Sequence, residues 1–299
     1  MTRFTGRFEG VYVAIATPFA ANGSLNLTHF EDHLEWLAKE KVHGFVPCGT
    51  TGEAPTLSRD EWMKVIAASV NVARKHNLKV IAGCGSNSTA QVVEMAKAAA
   101  EIGADGALVV TPYYNKPTAR GILAHYRHIA DNSPLPIVLY HVPGRTNVTM
   151  SAETITELLK HPNIVGIKEA SANQSLWLAL SKANNLREKS LMAGDDDAFV
   201  VIKSLGGSGI ISATANVIPD LFVKMHELTD KGEMQAAWDL QRRALPVINA
   251  MFVETNPTPV KYALKLLRGY ENVVRLPLVS VVEESENKIA SALKETGYL

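Results

Sequence analysis

Several features that would each have pointed to a class of protein are scarce in this sequence. Only two cysteines, Cys48 and Cys84, occur in 299 residues. That excludes a disulfide framework and suits a reducing compartment. Both read as small buried apolar residues near strand ends. Charge of either sign is not in excess, since 30 Lys+Arg face 30 Asp+Glu. Nucleic acid and anionic membranes demand a basic footprint, so neither is expected as a partner. No apolar run approaches the roughly 20 residues needed to cross a bilayer. The opening MTRFTGRFEG lacks the apolar segment of a signal peptide. Linker-like Gly/Ser tracts and low-complexity segments are missing too. The expectation is a soluble, cytoplasmic protein built as one large domain, or as a domain with an appendage.

What is present is a regular alternation. Short β-branched apolar runs occur at Val11–Ala16, Gly44–Cys48, Lys79–Gly83, Ala107–Thr111, Ile137–His141, Ile164–Glu169, Ser190–Ala193 and Gly209–Ala213. They are too continuous for half-exposed strands and read as strands covered on both faces. Between them lie amphipathic stretches such as Leu27–Lys41, Ser58–His76, Thr89–Ile102, Thr118–Ala130 and Ala152–Lys160. Gly103 and Pro162 punctuate helix ends. Such alternation implies a parallel sheet with right-handed crossovers. About eight units fit a closed (β/α)8 TIM barrel, an α/β fold, better than an open doubly wound sheet. After Ala213 only helical patterns follow, at Asp220–Lys231, Glu233–Met251, Pro257–Leu267 and Val281–Thr296. The expected organisation is a catalytic barrel over residues 1–232 and a C-terminal helical domain over 233–299.

Active sites of such barrels form at the C-terminal strand ends, and the polar residues of this chain gather there. Gly49-Thr50-Thr51-Gly52-Glu53 follows the second run and Thr111-Pro112-Tyr113-Tyr114-Asn115 the fourth. The fifth ends in Tyr140-His141-Val142-Pro143-Gly144-Arg145, and Gly194 with three aspartates follows the seventh. The sixth contains Lys168, a lysine interrupting an Ile/Val/Gly strand. A lysine buried in such a place tends toward the neutral amine, which can attack a carbonyl. Read alone, Lys168 is equally consistent with a buried ion pair. Glu169 is sent to the opposite face by strand alternation and is expected to be a structural partner outside the barrel. Tyr140 ends the neighbouring strand and could shuttle protons during imine formation. A phenol with a pKa near ~10 needs its proton relayed, and Thr50 and Tyr114 are candidates for the relay. Gly49 and Gly52 allow backbone N–H groups near Thr51 to approach a carboxylate. Arg145, just past a Pro-Gly turn, suits bidentate capture of a second carboxylate. Alone, that loop and that arginine would read as a plain turn and a solvated charge.

Together these segments resemble the dihydrodipicolinate synthases, a family of class I pyruvate aldolases related to N-acetylneuraminate lyase. The resemblance runs from about Phe8 to Leu278 and includes Gly209-Ile210-Ile211-Ser212-Ala213-Thr214-Ala215-Asn216 and Asn256-Pro257. It implies that Lys168 forms an imine with pyruvate, whose enamine attacks the aldehyde of aspartate semialdehyde. It also implies a Thr50, Tyr140 and Tyr114 proton relay, with Tyr114 supplied by a neighbouring subunit. Thr51 would hold the pyruvate carboxylate, Gly194 and Ile211 would lie beside the keto acid, and Arg145 would bind the semialdehyde carboxylate. No metal or organic cofactor is implied, and the implied assembly is a homotetramer, a dimer of dimers. His141 departs from the family's usual asparagine, and Gly144 from a frequent serine. At the family's lysine-feedback positions the chain has Gln91, Arg59 and Trp62 beside Asn87 and Tyr113. The missing carboxylate implies weak or absent lysine inhibition.

Rival readings carry less. His125 and His128 lie three apart on a helical stretch, but no third ligand accompanies them, so they read as a solvated face. Asp195, Asp196 and Asp197 read as caps of the following helix. Gly206-Gly207-Ser208-Gly209 precedes a strand, the wrong place for a barrel phosphate site. Gly83-Cys84-Gly85 lacks the third glycine of a dinucleotide fingerprint. A keto-acid sensor would need no nucleophile. Within the family, a sugar-acid aldolase or N-acetylneuraminate lyase is the alternative; the paired threonines and Arg145 favour the smaller dicarboxylate product.

Overall fold

In the computed structural model, which describes residues 6–182 and 188–299, each of the eight apolar runs becomes a parallel strand. The first five residues of the polar opening lie outside the described residues. The strands are β1 (Gly10–Ala14), β2 (Gly44–Val46), β3 (Lys79–Gly83) and β4 (Gly106–Val110). Then follow β5 (Ile137–His141), β6 (Ile164–Glu169), β7 (Ser190–Ala193) and β8 (Gly209–Ser212). Among the described residues they hydrogen-bond in sequence order and close into a barrel, the (β/α)8 fold expected. The bounds of β3, β5, β6 and β7 coincide with the sequence expectation. These strands are buried almost throughout, so their apolar runs end where the strands end.

Helix boundaries follow local chemistry. The helix Arg59–Lys75 opens on a capping box, Ser58 accepting from Glu61 N–H while Glu61 answers the Ser58 N–H. Thr89–Ile102 stops at Gly103, which adopts the left-handed conformation (φ 106°) that a side chain would strain. Among the described residues no helix is long and apolar enough to cross a membrane.

The chain divides into two compact units. One comprises Met1–Gly10 with Val80–Ile211, the other Val11–Lys79 with Ser212–Leu299. In the first, the register of β5 against β6 matters most. Ile137 pairs with Ile164, but Val138 pairs with Gly166, so Val165 is passed over at an irregularity. From there Tyr140 pairs with Lys168 and His141 with Glu169. Without that one-residue slip Tyr140 would face Ile167, and Lys168 would meet His141. Gly166 is required here, because a Cβ would lie 2.5 Å from both Cβ and O of Ser190.

In the second unit, Asn216 staples the end of β1. Its Oδ1 accepts from Ala16 N–H at 3.1 Å and lies 3.0 Å from His33 Nε2, while its Nδ2 donates to Ala14 O and Ala213 O. Burial holds His33 down at about 4. The C-terminal helices Pro219–Asp230, Met234–Ala250, Thr258–Arg268 and Glu283–Thr296 belong to this unit, and segment 233–299 lies wholly within it.

Candidate active site

The first unit presents a row of side chains set by register. Val110 pairs with Tyr140, Tyr140 with Lys168, Lys168 with Met192, and Met192 with Gly209. Paired residues on parallel strands point to the same side, and alternation returns Ile211, two beyond Gly209, to that side. Lys168 and Tyr140 are each only 7% exposed. The Lys168 Nζ lies over the Tyr140 ring, 4.4 Å from its centroid. The alternate residues face the helix layer, since Glu169 accepts from the Trp177 indole N–H of helix Gln174–Ser181. Lys168 therefore projects to the inner face. The carboxylate next to it does not reach the same side, as alternation required. Glu169 accepts from His141 and Trp177 instead, a structural role.

Gly194 continues from β7 and donates its N–H to Glu169 O at 2.7 Å. A Cβ there would meet the Ala170 Cβ at 2.7 Å, so glycine permits this close approach beside the end of β6. The expected capping role of the aspartates is corrected at Asp195. No side-chain cap forms on the 3-10 turn Asp196–Ala198 or on the helix Phe199–Ser204. The Asp195 carboxylate instead accepts from Ala172 N–H at 3.2 Å. Burial, then the charges of Asp197 and Glu169, push it up to about 6, against the opposing pull of Lys168. Arg145 and Tyr114 sit on the loops after β5 and β4. Arg145 is exposed, and Tyr114 is 89% exposed with a left-handed backbone (φ 68°).

Thr50 and Thr51 belong to the second unit, in the loop after β2. Glu53 N–H donates to Thr50 O at 3.1 Å, and Thr17 Oγ1 donates to Gly52 O at 2.8 Å. Thr51 is buried, and its Oγ1 accepts from Asn256 Nδ2 at 2.9 Å, so its own hydroxyl hydrogen remains able to donate to an anion. Glu53 anchors the loop by pairing with Lys261 Nζ and accepting from Arg275 N–H at 2.9 Å. Burial lowers Lys261 to about 8, with Glu53 acting in the opposite direction. These three supports, Asn256, Lys261 and Arg275, escaped the sequence reading as partners of the loop. Asn256 alone had a signal, its place in the Asn-Pro pair noted above.

The histidine pair is also corrected. His128 is exposed as expected, but His125 is buried, with Nδ1 2.8 Å from Thr89 Oγ1 on the neighbouring helix. Burial lowers its pKa to about 4. Among the described residues no group of three or more His, Cys, Asp or Glu could hold a metal. Both cysteines are free and buried.

A closed eight-stranded barrel with an amine and a phenol packed together at adjacent strand ends defines a (β/α)8 enzyme. The chain belongs to the Dihydrodipicolinate synthetase family, which its residues 7–296 match. It is 43% identical to the 4-hydroxy-tetrahydrodipicolinate synthase of Thermodesulfovibrio yellowstonii over 292 residues, 98% of this chain and 99% of that protein. Among solved structures, dihydrodipicolinate synthase from Thermotoga maritima superposes with a TM-score of 0.95 at 38% identity, covering 98% of this chain and 99% of that one. The chloride-inhibited Acinetobacter baumannii dihydrodipicolinate synthase complexed with pyruvate gives 0.94 at 40% identity, covering 97% and 99%.

Proposed function

We propose that this enzyme condenses pyruvate with L-aspartate 4-semialdehyde to 4-hydroxy-tetrahydrodipicolinate, in the diaminopimelate route to lysine, through an imine on Lys168. Membership of the family supports the reaction. The observation that carries the mechanism is the Lys168 amine, buried on the inner face against Tyr140.

The amine attacks the keto carbon of pyruvate, and the carbinolamine loses water to give the imine. Loss of a methyl proton yields the enamine, whose carbon attacks the semialdehyde aldehyde. Attack of that substrate's own amino group on the imine carbon then frees Lys168 and closes the ring. Each proton move requires a donor and an acceptor near the nitrogen, the role given to Tyr140 with Thr50 and Tyr114. Thr51 binds the pyruvate carboxylate through the hydroxyl that Asn256 leaves able to donate. Gly194 and Ile211 flank the keto acid, and Arg145 takes the semialdehyde carboxylate. The reaction needs no organic cofactor and no metal.

In this reading residues 1–232 form the catalytic barrel and 233–299 the helical domain, and the enzyme works in the cytoplasm as a homotetramer. The dimer contact brings in Tyr114 from the neighbouring subunit, which gives its exposed ring a use. Borohydride reduction with pyruvate, followed by peptide mass mapping, tests the chemistry. An adduct confined to Lys168 is expected; no adduct, or one on another lysine, overturns it. Turnover is expected with aspartate semialdehyde and not in cleavage of N-acetylneuraminate. Millimolar lysine is expected to leave the rate nearly unchanged, because no carboxylate stands at Gln91 to pair its ammonium.

A further inference from the structure

The outer face of β5 and β6 carries a second arrangement, built on the same register. His141 Nδ1 lies 3.0 Å from Glu169 Oε1, and His141 Nε2 accepts the Met150 N–H at 3.0 Å. A backbone N–H can only donate, so Nε2 presents its lone pair and the ring hydrogen sits on Nδ1, donated to Glu169. Trp177 N–H donates to the other carboxylate oxygen. His141, Glu169 and Trp177 are all buried, so each hydrogen bond replaces one that water cannot supply.

Between His141 and Met150 runs the loop that carries Arg145. Its first part is the helical turn Pro143–Thr146, closed by Asn147 in the left-handed conformation (φ 54°). The Thr146 hydroxyl lies 3.2 Å from both Val142 O and Val148 O. Val142, Thr146, Val148 and Met150 are buried, while Gly144, Arg145, Asn147 and Thr149 are exposed. The loop is therefore pinned from within by Thr146 and closed at its base by the His141 ring.

We propose that His141 is a positioning residue for the second substrate: it clasps the base of the 142–150 loop and so sets where Arg145 meets the incoming carboxylate. Glu169 and Trp177 hold the ring plane and its tautomer from behind. The proposal rests on the role given to Arg145 above. It also gives a physical sense to the departure from asparagine at this position. An asparagine reaches about as far as Nδ1 and can keep the Glu169 bond, but it falls short of Met150. A glutamine reaches about as far as Nε2 and can offer its carbonyl to the Met150 N–H.

The test compares H141N and H141Q with the wild type. H141N is expected to raise the KM for aspartate semialdehyde about tenfold, since a buried N–H is left unanswered. Its pyruvate KM and kcat should stay within about twofold, as should borohydride capture of pyruvate on Lys168. H141Q should return the semialdehyde KM to within about threefold of the wild type. Parallel rises in both KM values, a fall confined to kcat, or no change in H141N overturns the proposal. Hydrogen exchange reads the clasp independently of turnover. The Met150 amide should exchange at least about tenfold faster in H141N and regain protection in H141Q. A wild type that fails to use the semialdehyde removes the functional reading alone. Exchange at Met150 then decides the clasp, and unchanged protection in H141N overturns it.

Discussion

Glu169 and Glu53 are both buried glutamates that follow residues assigned to the reaction, yet the protein answers their charge in opposite ways. Glu53 meets cations. Lys261 Nζ pairs with it, and Arg275 donates its backbone N–H to it while gripping Glu61 through both Nη atoms at 2.5 and 2.8 Å. Among the described residues the Glu169 carboxylate is hydrogen-bonded by two uncharged donors, the His141 ring and the Trp177 indole. A carboxylate cancelled by cations acts locally, as an anchor for the loop that bears Thr50 and Thr51. One satisfied by neutral dipoles keeps its field, which adds to burial and to the charge of Asp197 in raising Asp195 to about 6. Hydrogen-bond satisfaction and charge compensation are thus separate requirements: Glu53 meets both, and Glu169 meets the first alone.

Breaking the charged site should cost most. Lys261→Met leaves Glu53 as a buried carboxylate without its cation and should lower stability by about 3–5 kcal/mol, read from denaturant unfolding. A loss below about 1 kcal/mol would show that the pair is dispensable. The neutral site should respond less. Glu169→Gln offers one acceptor oxygen where two N–H donors need one, and should cost about 1–3 kcal/mol. If its cost equalled that of the Lys261 variant, the contrast between the two sites would fail. The smallest effect concerns Asp195, which burial raises first and the charges of Asp197 and Glu169 raise further. Asp195 has a folded pKa raised from 3.8 to about 6, so the folded state binds its proton more readily than the unfolded state does. Its contribution favours folding in full below about 3.8 and is lost as pH rises through about 6. Asp195→Asn, which keeps an acceptor for Ala172 N–H, should therefore stabilise the protein at pH 7 by up to about 2 kcal/mol. That gain should shrink as pH falls through about 6 and be gone by about pH 3, and an advantage independent of pH would rule out this origin.

The fold was legible in the sequence because its signals are local. An apolar run buried on both faces announces its own length, and the strands β5 and β6 kept their expected bounds for that reason. Ser58 opened its helix through its side-chain cap, and Gly103 closed its own through its left-handed backbone. The reactive strand ends were legible as chemical outliers, Lys168 in an aliphatic strand above all. Their supports were not. Asn256 reaches Thr51 across 205 residues and Lys261 reaches Glu53 across 208, distances over which no periodicity carries information. His125 misled for a related reason, since its hydrogen-bond partner, Thr89, lies on another helix. The aspartates after β7 misled because the Asp195 carboxylate accepts from Ala172 N–H, a partner 23 residues earlier in the chain, and not from the turn that follows it.

The skipped residue Val165 has one more consequence. It works as a frame marker for the strand, deciding which member of each neighbouring pair reads inward and which outward. Tyr140 with Lys168 and His141 with Glu169 are two messages on one pair of strands, separated only by parity. Substitutions in the outer message can retune how a loop is presented while the inner one is left untouched. An insertion or deletion anywhere between Gly166 and Lys168 would instead exchange the two. Point changes are therefore the route by which such a barrel can diversify its second substrate, and length changes within this strand are closed to it.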